Sequence, residues 1–279
     1  MAIEVFNRCE KKYLLDKEQY QAVTYCIQNR MAPDLYNRDN EFYQISNIYY
    51  DTWDDRLIRS SIEKPVYKEK LRLRAYGTPK LSDEVFVEIK KKYDGIVNKR
   101  RTGMILEKAY GYLGGTVSSL ELEVRDKTIN RQVMGEIDYF KSFYSLVPKV
   151  YLSYDRMAYF EKDDGDFRVT FDTNITSRRH NLRLELGSFG EKILPPDIYL
   201  MEIKINRAVP MWFTKIISEL KIYPVSFSKY GTEYKRYVAR TKSEEAEREG
   251  KTICLNQFLQ VQQIIPSALA HQCQQSGRL

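Results

Sequence analysis

The sequence predicts an α+β protein built around a closed, eight-stranded antiparallel β-barrel, a tunnel with a basic lumen surrounded by helices. Three observations carry the prediction. Eight segments alternate apolar and polar residues with period two, the mark of strands with one buried face. Helical patterns are too few to separate every pair of strands, which excludes repeated βαβ units. The polar faces of the strands also carry charge of nearly one sign, which a solvated sheet face does not need.

In chain order, the first strand reads RCEKKYLL (Arg8 to Leu15), and a helical pattern follows from Asp16 to Arg30, with Asp16 as N-cap. Strands follow at ISNIYYDT (Ile45 to Thr52), YKEKLRLRAYG (Tyr67 to Gly77) and EVFVEIKKKY (Glu84 to Tyr93). Helical periods cover Leu106 to Leu113 and Asp126 to Phe143. KVYLSYDRMAYF (Lys149 to Phe160), DFRVTFDT (Asp166 to Thr173), NLRLEL (Asn181 to Leu186) and YLMEIKI (Tyr199 to Ile205) complete the strands, and a last helix spans Val209 to Leu220. The turn signals YDG (Tyr93 to Gly95) and KDDGD (Lys162 to Asp166) suit hairpins. From Thr241 the texture becomes charged and then Gln-rich. The predicted organisation is therefore a tunnel domain over residues 1–240 and a flexible or partly helical tail over 241–279, with a short helix near Leu255 to Ile265.

Sorting each strand by face exposes the charge rows. Lys68, Lys70, Arg72 and Arg74 oppose Leu71, Leu73 and Ala75; Glu88, Lys90 and Lys92 oppose Val85, Val87 and Ile89; Glu202 and Lys204 oppose Met201, Ile203 and Ile205. Glu10 with Lys12, Tyr154 with Arg156, and Arg168 with Thr170 and Asp172 form further rows. Any one row reads as the wet face of an ordinary sheet. Together they are too uniformly cationic for that. Two like charges about 7 Å apart repel by roughly 2 kcal/mol at an effective dielectric near 20, so charged faces turned inward require a bound polyanion. Arg forks and Lys point charges suit phosphate oxygens, and the few carboxylates suit Mg²⁺ or Mn²⁺. Glu10 and Glu88 are either further metal ligands or, the favoured expectation, partners of the lysines two residues on, Lys12 and Lys90, while Asp172 orients an arginine or binds metal. Lys68 and Lys70 fall at the tunnel mouth.

Composition agrees. The 279 residues hold 45 Lys+Arg against 38 Asp+Glu, a formal charge of +7 that favours an anionic partner. Four cysteines without metal or CxxC spacing read as free thiols of a reducing compartment. No signal-peptide run and no long apolar stretch occurs, so a cytoplasmic location is expected. Neither GxxxxGK[ST], GxGxxG nor GxSxG is present, and with two His a zinc site or Ser-His-Asp relay is disfavoured. Phosphoryl transfer needs no protein nucleophile, since positioning and charge neutralisation carry most of it.

On the stretches EKKYLL, SNIYYDT, KLRLRAYG, VFVEIKKKYDGIVNKRR, SYDRMAYF, RVTFDTNI, LMEIKI and SFSKYG, in that order over residues 5 to 238, the sequence resembles the VTC domain. This is the polyphosphate polymerase module of the triphosphate tunnel metalloenzyme superfamily. The resemblance implies transfer of the γ-phosphate of ATP to a growing polyphosphate chain, with Mn²⁺ or Mg²⁺. It implies catalytic roles for Arg72, Arg74, Lys90, Arg156 and Lys229, and substrate binding by Lys12, Lys99, Tyr154, Arg168, Lys204 and Ser228. Glu202 is implied to hold the metal. The implied partners are ATP and inorganic polyphosphate, with no nucleic acid. Unlike eukaryotic members the sequence shows neither an SPX domain nor transmembrane helices, so any membrane partner is expected to be a separate protein. A triphosphatase of the same superfamily and a non-catalytic polyphosphate or RNA binder are the competing expectations.

Overall fold

Period-two alternation produces a sheet that is apolar on one face and charged on the other, and the computed structural model shows how that sheet is used. It describes residues 9–37, 39, 41–94, 96–125, 129–162, 167–205 and 208–248. The strands are β1 (Cys9–Leu15), β2 (Met31–Pro33), β3 (Tyr43–Thr52), β4 (Tyr67–Tyr76), β5 (Glu84–Tyr93), β6 (Ile96–Ile105), β7 (Leu146–Glu161), β8 (Arg168–Arg178), β9 (Glu191–Lys192) and β10 (Tyr199–Ile205). The helices are α1 (Lys17–Ile27), α2 (Arg56–Ile62), α3 (Leu106–Leu113), α4 (Ser119–Arg125), α5 (Arg131–Phe143), α6 (Met211–Glu219) and α7 (Lys229–Arg248). The chain divides into two compact units, Met1–Gly231 and Thr232–Leu279. The sheet lies in the first; in the second the described residues continue α7 through Thr241 to Arg248. The expected helix at Leu255 to Ile265 and most of the KDDGD turn lie outside the described residues.

All pairings are antiparallel, in the order β1-β10-β8-β7-β3-β4-β5-β6, with β2 beside β7 and β9 beside β8. The sheet has ten strands rather than eight, and it is not closed. Two short strands, three and two residues long, are too brief to show a period. β6 also escapes the alternation, because both of its faces are polar: Lys99 and Arg101 on one, Asn98 and Arg100 on the other. The expected strand at Asn181 to Leu186 is a single 3₁₀ turn, Leu184–Leu186. Asn181 has φ +48°, and Arg178 gathers the carbonyls of Asn181, Arg183, Gly187 and Phe189 onto one guanidinium, which fixes a loop where a strand would need those carbonyls for its ladder.

In place of hydrogen bonds between β1 and β6, side chains and a covering segment join the two ends of the sheet. Glu10 on β1 reaches Lys90 on β5 at 3.5 Å. The outer edge of β1 is taken by the chain after α6, where Tyr13 bridges to Pro224 and the Val225 N–H donates to the Lys12 carbonyl at 2.7 Å. The edge is thereby protected from adventitious pairing. The charged face is concave, and the apolar face points outward under the helices.

Two apolar clusters cover that outer face. In one, Leu71, Leu73, Val85, Val87 and Ile89 pack against Leu106, Ala109 and Tyr112 of α3 and Val133, Met134, Ile137 and Phe140 of α5. In the other, Tyr13, Leu15, Val169, Phe171, Met201 and Ile203 meet Val23 and Ile27 of α1 and Phe213 of α6. The α1 entry is set by Asp16, whose carboxylate accepts the Gln19 N–H at 2.8 Å while Gln19 Oε1 accepts the Asp16 N–H, a capping box. Among the described residues no helix is long and apolar enough to cross a membrane.

Leu73 is fully buried in the first cluster. Leu73→Ala is expected to lower stability by about 2–5 kcal/mol, through lost burial and the cavity left behind, read as a shifted urea midpoint with unchanged slope.

Candidate functional site: a cationic lumen

The register sets the cations in tiers. Lys70 lies opposite Lys90, and Lys90 opposite Lys99; one tier on, Arg72 lies opposite Glu88, and Glu88 opposite Arg101. Across the other half, Lys12 faces Glu202, Arg156 faces Asp172, and Lys204 faces both Glu10 and Arg168. Because antiparallel partners share a face, every one of these side chains points into the concavity.

Two buried carboxylates organise it. Glu88 meets Arg72 Nη2 at 2.6 Å, Lys99 Nζ at 2.9 Å, Arg74 Nε at 3.8 Å and Arg101 Nη1 at 4.0 Å. Its burial alone would favour the neutral acid, but Arg72, Arg74 and Lys99 hold it far below the usual carboxylate range. Asp172 takes Arg156 as a bidentate pair, at 2.6 and 2.8 Å, and also Lys229 from the first turn of α7. Against its burial, Arg156 and Lys229 hold Asp172 at about 2. Asp172 thus orients an arginine. The expected Glu10–Lys12 and Glu88–Lys90 pairs do not form. Lys90 goes to Glu10 across the seam, and Lys12 goes to Glu202 at 3.7 Å and to the Phe227 carbonyl at 2.9 Å. Cross-strand neighbours are nearer than the roughly 7 Å that separates backbone positions two apart on a strand, and of the three Glu-x-Lys pairs it is the one on β10, Glu202 with Lys204, that forms within its strand.

Arg74 donates to Asn47 Oδ1 at 3.0 Å and to the Tyr154 hydroxyl at 2.9 Å. Arg168 pairs with Asp34 at 3.4 Å, and its buried Nε has no partner. Lys204 meets Glu202 at 3.3 Å. Ser228 Oγ accepts the Gly231 N–H at 3.2 Å and so caps the start of α7, which leaves its O–H as a donor. Lys70 is half-buried beside the Tyr230 ring, 5.8 Å from its centroid, whereas Lys68 lies with Lys64, Lys92 and Ser226 in a cleft of about 380 Å³ at one end of the lumen.

Sequence reasoning overlooked Tyr49. Its hydroxyl accepts from Arg72 at 3.2 Å and its ring stacks on Tyr230 at 4.7 Å. Burial opposes ionisation, yet Arg72, Lys70 and Arg74 bring the phenol down to about 8. Its position two residues before Asp51 in the SNIYYDT alternation was the available signal.

Glu202, the residue expected to hold a metal, has Lys12 at 3.7 Å and Lys204 at 3.3 Å on its two oxygens. Although buried, it is kept ionised by Lys204 and Lys12, well below the ordinary range. Among the described residues no three His, Cys, Asp or Glu side chains converge as a ready-made cage. The donor set nonetheless fits Mg²⁺ or Mn²⁺, since hard cations of this kind take one or two carboxylates and complete their shell with substrate phosphates and water.

Replacing the hub tests the electrostatics. Glu88→Gln leaves Arg72, Arg74 and Lys99 facing one another without a counter-charge, and a loss of about 3 kcal/mol is expected by urea unfolding. Added tripolyphosphate should restore part of it, and a loss insensitive to tripolyphosphate would contradict the assignment. The lysines supply a second test. Burial lowers Lys70 to about 8 and, against the pull of Glu88, Lys99 to about 7. Both lie below the ordinary 10.5, so between pH 7 and 10.5 the unfolded chain binds more protons. The contribution of these two groups to stability therefore rises with pH across that window. A bound polyanion reverses the shift, so tripolyphosphate binding at pH 8 should take up protons and weaken from pH 7 to 9. Titration calorimetry in buffers of different ionisation enthalpy reads the uptake; buffer-independent heats would refute it.

A search among curated proteins finds no match. Similar solved structures include a candidate adenylate cyclase from Vibrio parahaemolyticus, at 13% identity and TM-score 0.45, covering 82% of this chain and 98% of the other. A candidate adenylyl cyclase from Hippeastrum with a dominant triphosphatase activity is similar at 15% identity and TM-score 0.46, covering 89% and 98%. The mimivirus capping enzyme triphosphatase is similar at 10% identity and TM-score 0.31, covering 77% and 88%. The VTC domain pattern matches residues 7–238, which hold every lumenal residue described above, and the chain therefore belongs to the VTC domain family.

Proposed function

We propose that this protein is a polyphosphate polymerase, moving the γ-phosphate of ATP onto the end of an inorganic polyphosphate chain within the lumen. The observation that carries the reading is the pair of buried carboxylates. Glu88 fixes Arg72 and Lys99, and Asp172 fixes Arg156 and Lys229, so phosphate donors are aimed before any substrate arrives. Each guanidinium has five N–H groups, and the contacts to Glu88, Tyr49 and Asp172 leave others for phosphate oxygens.

The reaction asks little covalent chemistry of the protein. A terminal oxygen of the polyphosphate chain attacks the γ-phosphorus in line, a new P–O–P linkage forms, and the bond to the β-phosphate oxygen breaks to release ADP. Charge spreading over the transferred group is met by Arg72, Arg74 and Arg156, with Lys90 and Lys229 beside them. Lys12, Lys99, Tyr154, Arg168, Lys204 and Ser228 hold the flanking phosphates. Glu202 would hold Mn²⁺ or Mg²⁺ against phosphate oxygens, supplying further charge neutralisation. Hydrolysis of a triphosphate uses the same groups with water as the nucleophile, so the products distinguish the two reactions.

With ATP and Mn²⁺ the purified protein is expected to form long phosphate polymer on a gel together with ADP; orthophosphate alone would sink the polymerase reading. Arg72→Ala should reduce the transfer rate about 10²- to 10³-fold, with the far-ultraviolet circular dichroism spectrum unchanged.

A further inference from the structure

The lumenal face of β3 departs from the cationic rule of its neighbours. Asn47, Tyr49 and Asp51 alternate along it, and the register sets Asn47 opposite Arg74 and Tyr49 opposite Arg72 on β4. Asn47 accepts from Arg74 Nε at 3.0 Å, and the Tyr49 hydroxyl accepts from Arg72 Nη1 at 3.2 Å. Each of these arginines therefore meets a neutral acceptor on β3 in addition to the carboxylate of Glu88 that they share.

Arg72 has five N–H groups. Nε and Nη2 converge on one oxygen, Glu88 Oε2, at 2.7 and 2.6 Å. A guanidinium gripped through a single oxygen can still swing about it in its own plane. The contact from Nη1 to Tyr49 is a second fixed point, and it removes that swing. One N–H then remains on Nη1 and one on Nη2, the two donors that a bidentate grip on phosphate oxygens needs. A carboxylate in place of Tyr49 would fix the plane equally well, but it would repel the incoming anion. A phenol supplies the acceptor without a full counter-charge.

Tyr49 is itself held from behind. Its ring stacks on Tyr230, with centroids 4.7 Å apart and planes at 29°. Tyr230 is buried and donates its hydroxyl to Asp51 Oδ2 at 3.0 Å. Asp51 is fully buried and also accepts the N–H groups of Thr52, Leu57 and Ile58, at 2.8, 2.8 and 2.9 Å, which pins it to the start of α2. An unbroken run of contacts thus leads from a helix terminus through two rings to the guanidinium, and Tyr49 is its last member before Arg72.

We infer that Tyr49, locked by the Tyr230–Asp51 pair, is the positioning residue that sets the plane of Arg72 for phosphate. The inference rests on the proposed function only in taking the lumen as the phosphate site.

A double-mutant cycle tests it, read by calorimetry on the full chain with tripolyphosphate as the probe. Tyr49→Phe keeps the ring that stacks on Tyr230 and removes only the hydroxyl. It should weaken tripolyphosphate by about 3- to 10-fold. In an Arg72→Ala background the same change should alter the affinity by less than about twofold, because the group it acts through is gone. A residue needed only for the fold would cost the same in both backgrounds. Tyr230→Phe, which keeps its ring and frees it from Asp51, is the second variant and should show a smaller loss with the same dependence on Arg72. Equal losses in the two backgrounds, or no loss from Tyr49→Phe alone, would overturn the assignment. If the cycle shows the coupling but no polymer is made from ATP, Tyr49 keeps its role and the polymerase reading falls. Polymer synthesis with losses that merely add has the opposite meaning.

Discussion

The carboxylate of Glu88 faces cations from β4 and β6, with Arg72 at 2.6 Å and Lys99 at 2.9 Å, and it is the counter-charge around which they are arranged. Curling three Lys- and Arg-rich strands around one axis stacks like charges at cross-strand distances, where repulsion at an effective dielectric of 20 is about 3 kcal/mol per pair at 5.5 Å. A central anion converts that repulsion into attraction along several directions at once. Asp172 does the same on the opposite wall for Arg156 and Lys229. These buried ion groups are costly to desolvate and add little net stability. Their consequence is geometric, since a guanidinium pinned through two N–H groups has a fixed plane.

The same constraint explains why the sheet stops short of closing. Hydrogen bonding β6 to β1 would bring Lys99 and Arg101 against Lys12 and Glu10 at ladder spacing, with one carboxylate among three cations. The chain instead closes the gap with longer reaches: Glu10 to Lys90 at 3.5 Å, and the segment after α6 along the β1 edge. That segment leads into α7, whose first turn delivers Lys229 to Asp172 and Tyr230 to Tyr49 and Asp51. The seam is therefore also where part of the site is assembled.

Much of this was legible in the sequence because the period-two rule applies with unusual force. A face of uniform charge opposite a face of Val, Ile and Leu fixes both the strand and its orientation, as at Glu84–Tyr93, which the structure reproduces residue for residue. Alternation fails where both faces are polar. On the outer face of β5 and β6, Lys91 and Arg100 bind Glu136 of α5, at 3.1 and 2.9 Å, and this polar contact hid β6. It misleads at Leu182, Leu184 and Leu186, where the alternation is real but Arg178 has claimed the carbonyls. In the site, the residue types were readable but their partners were not. Glu88 was paired with Lys90 because both were visible on one strand, whereas Arg72 and Lys99 come near only once the register is known.

The division of the lumen between arginine and lysine follows from what an empty cationic groove must tolerate. Arginine cannot shed its proton in a protein, so each buried arginine needs a permanent partner: Arg72 has Glu88, Arg156 has Asp172, and Arg74 has Asn47 and Tyr154. Lysine can shed its proton, and burial takes Lys70 and Lys99 to about 8 and about 7. Near pH 8 part of the lysine charge is then absent in the empty lumen, and an entering anion would restore it. The arginines thus give the groove its shape and direction, while these lysines supply charge on demand. A sheet of arginines alone would need as many buried carboxylates, and these would compete with the phosphate for the same donors.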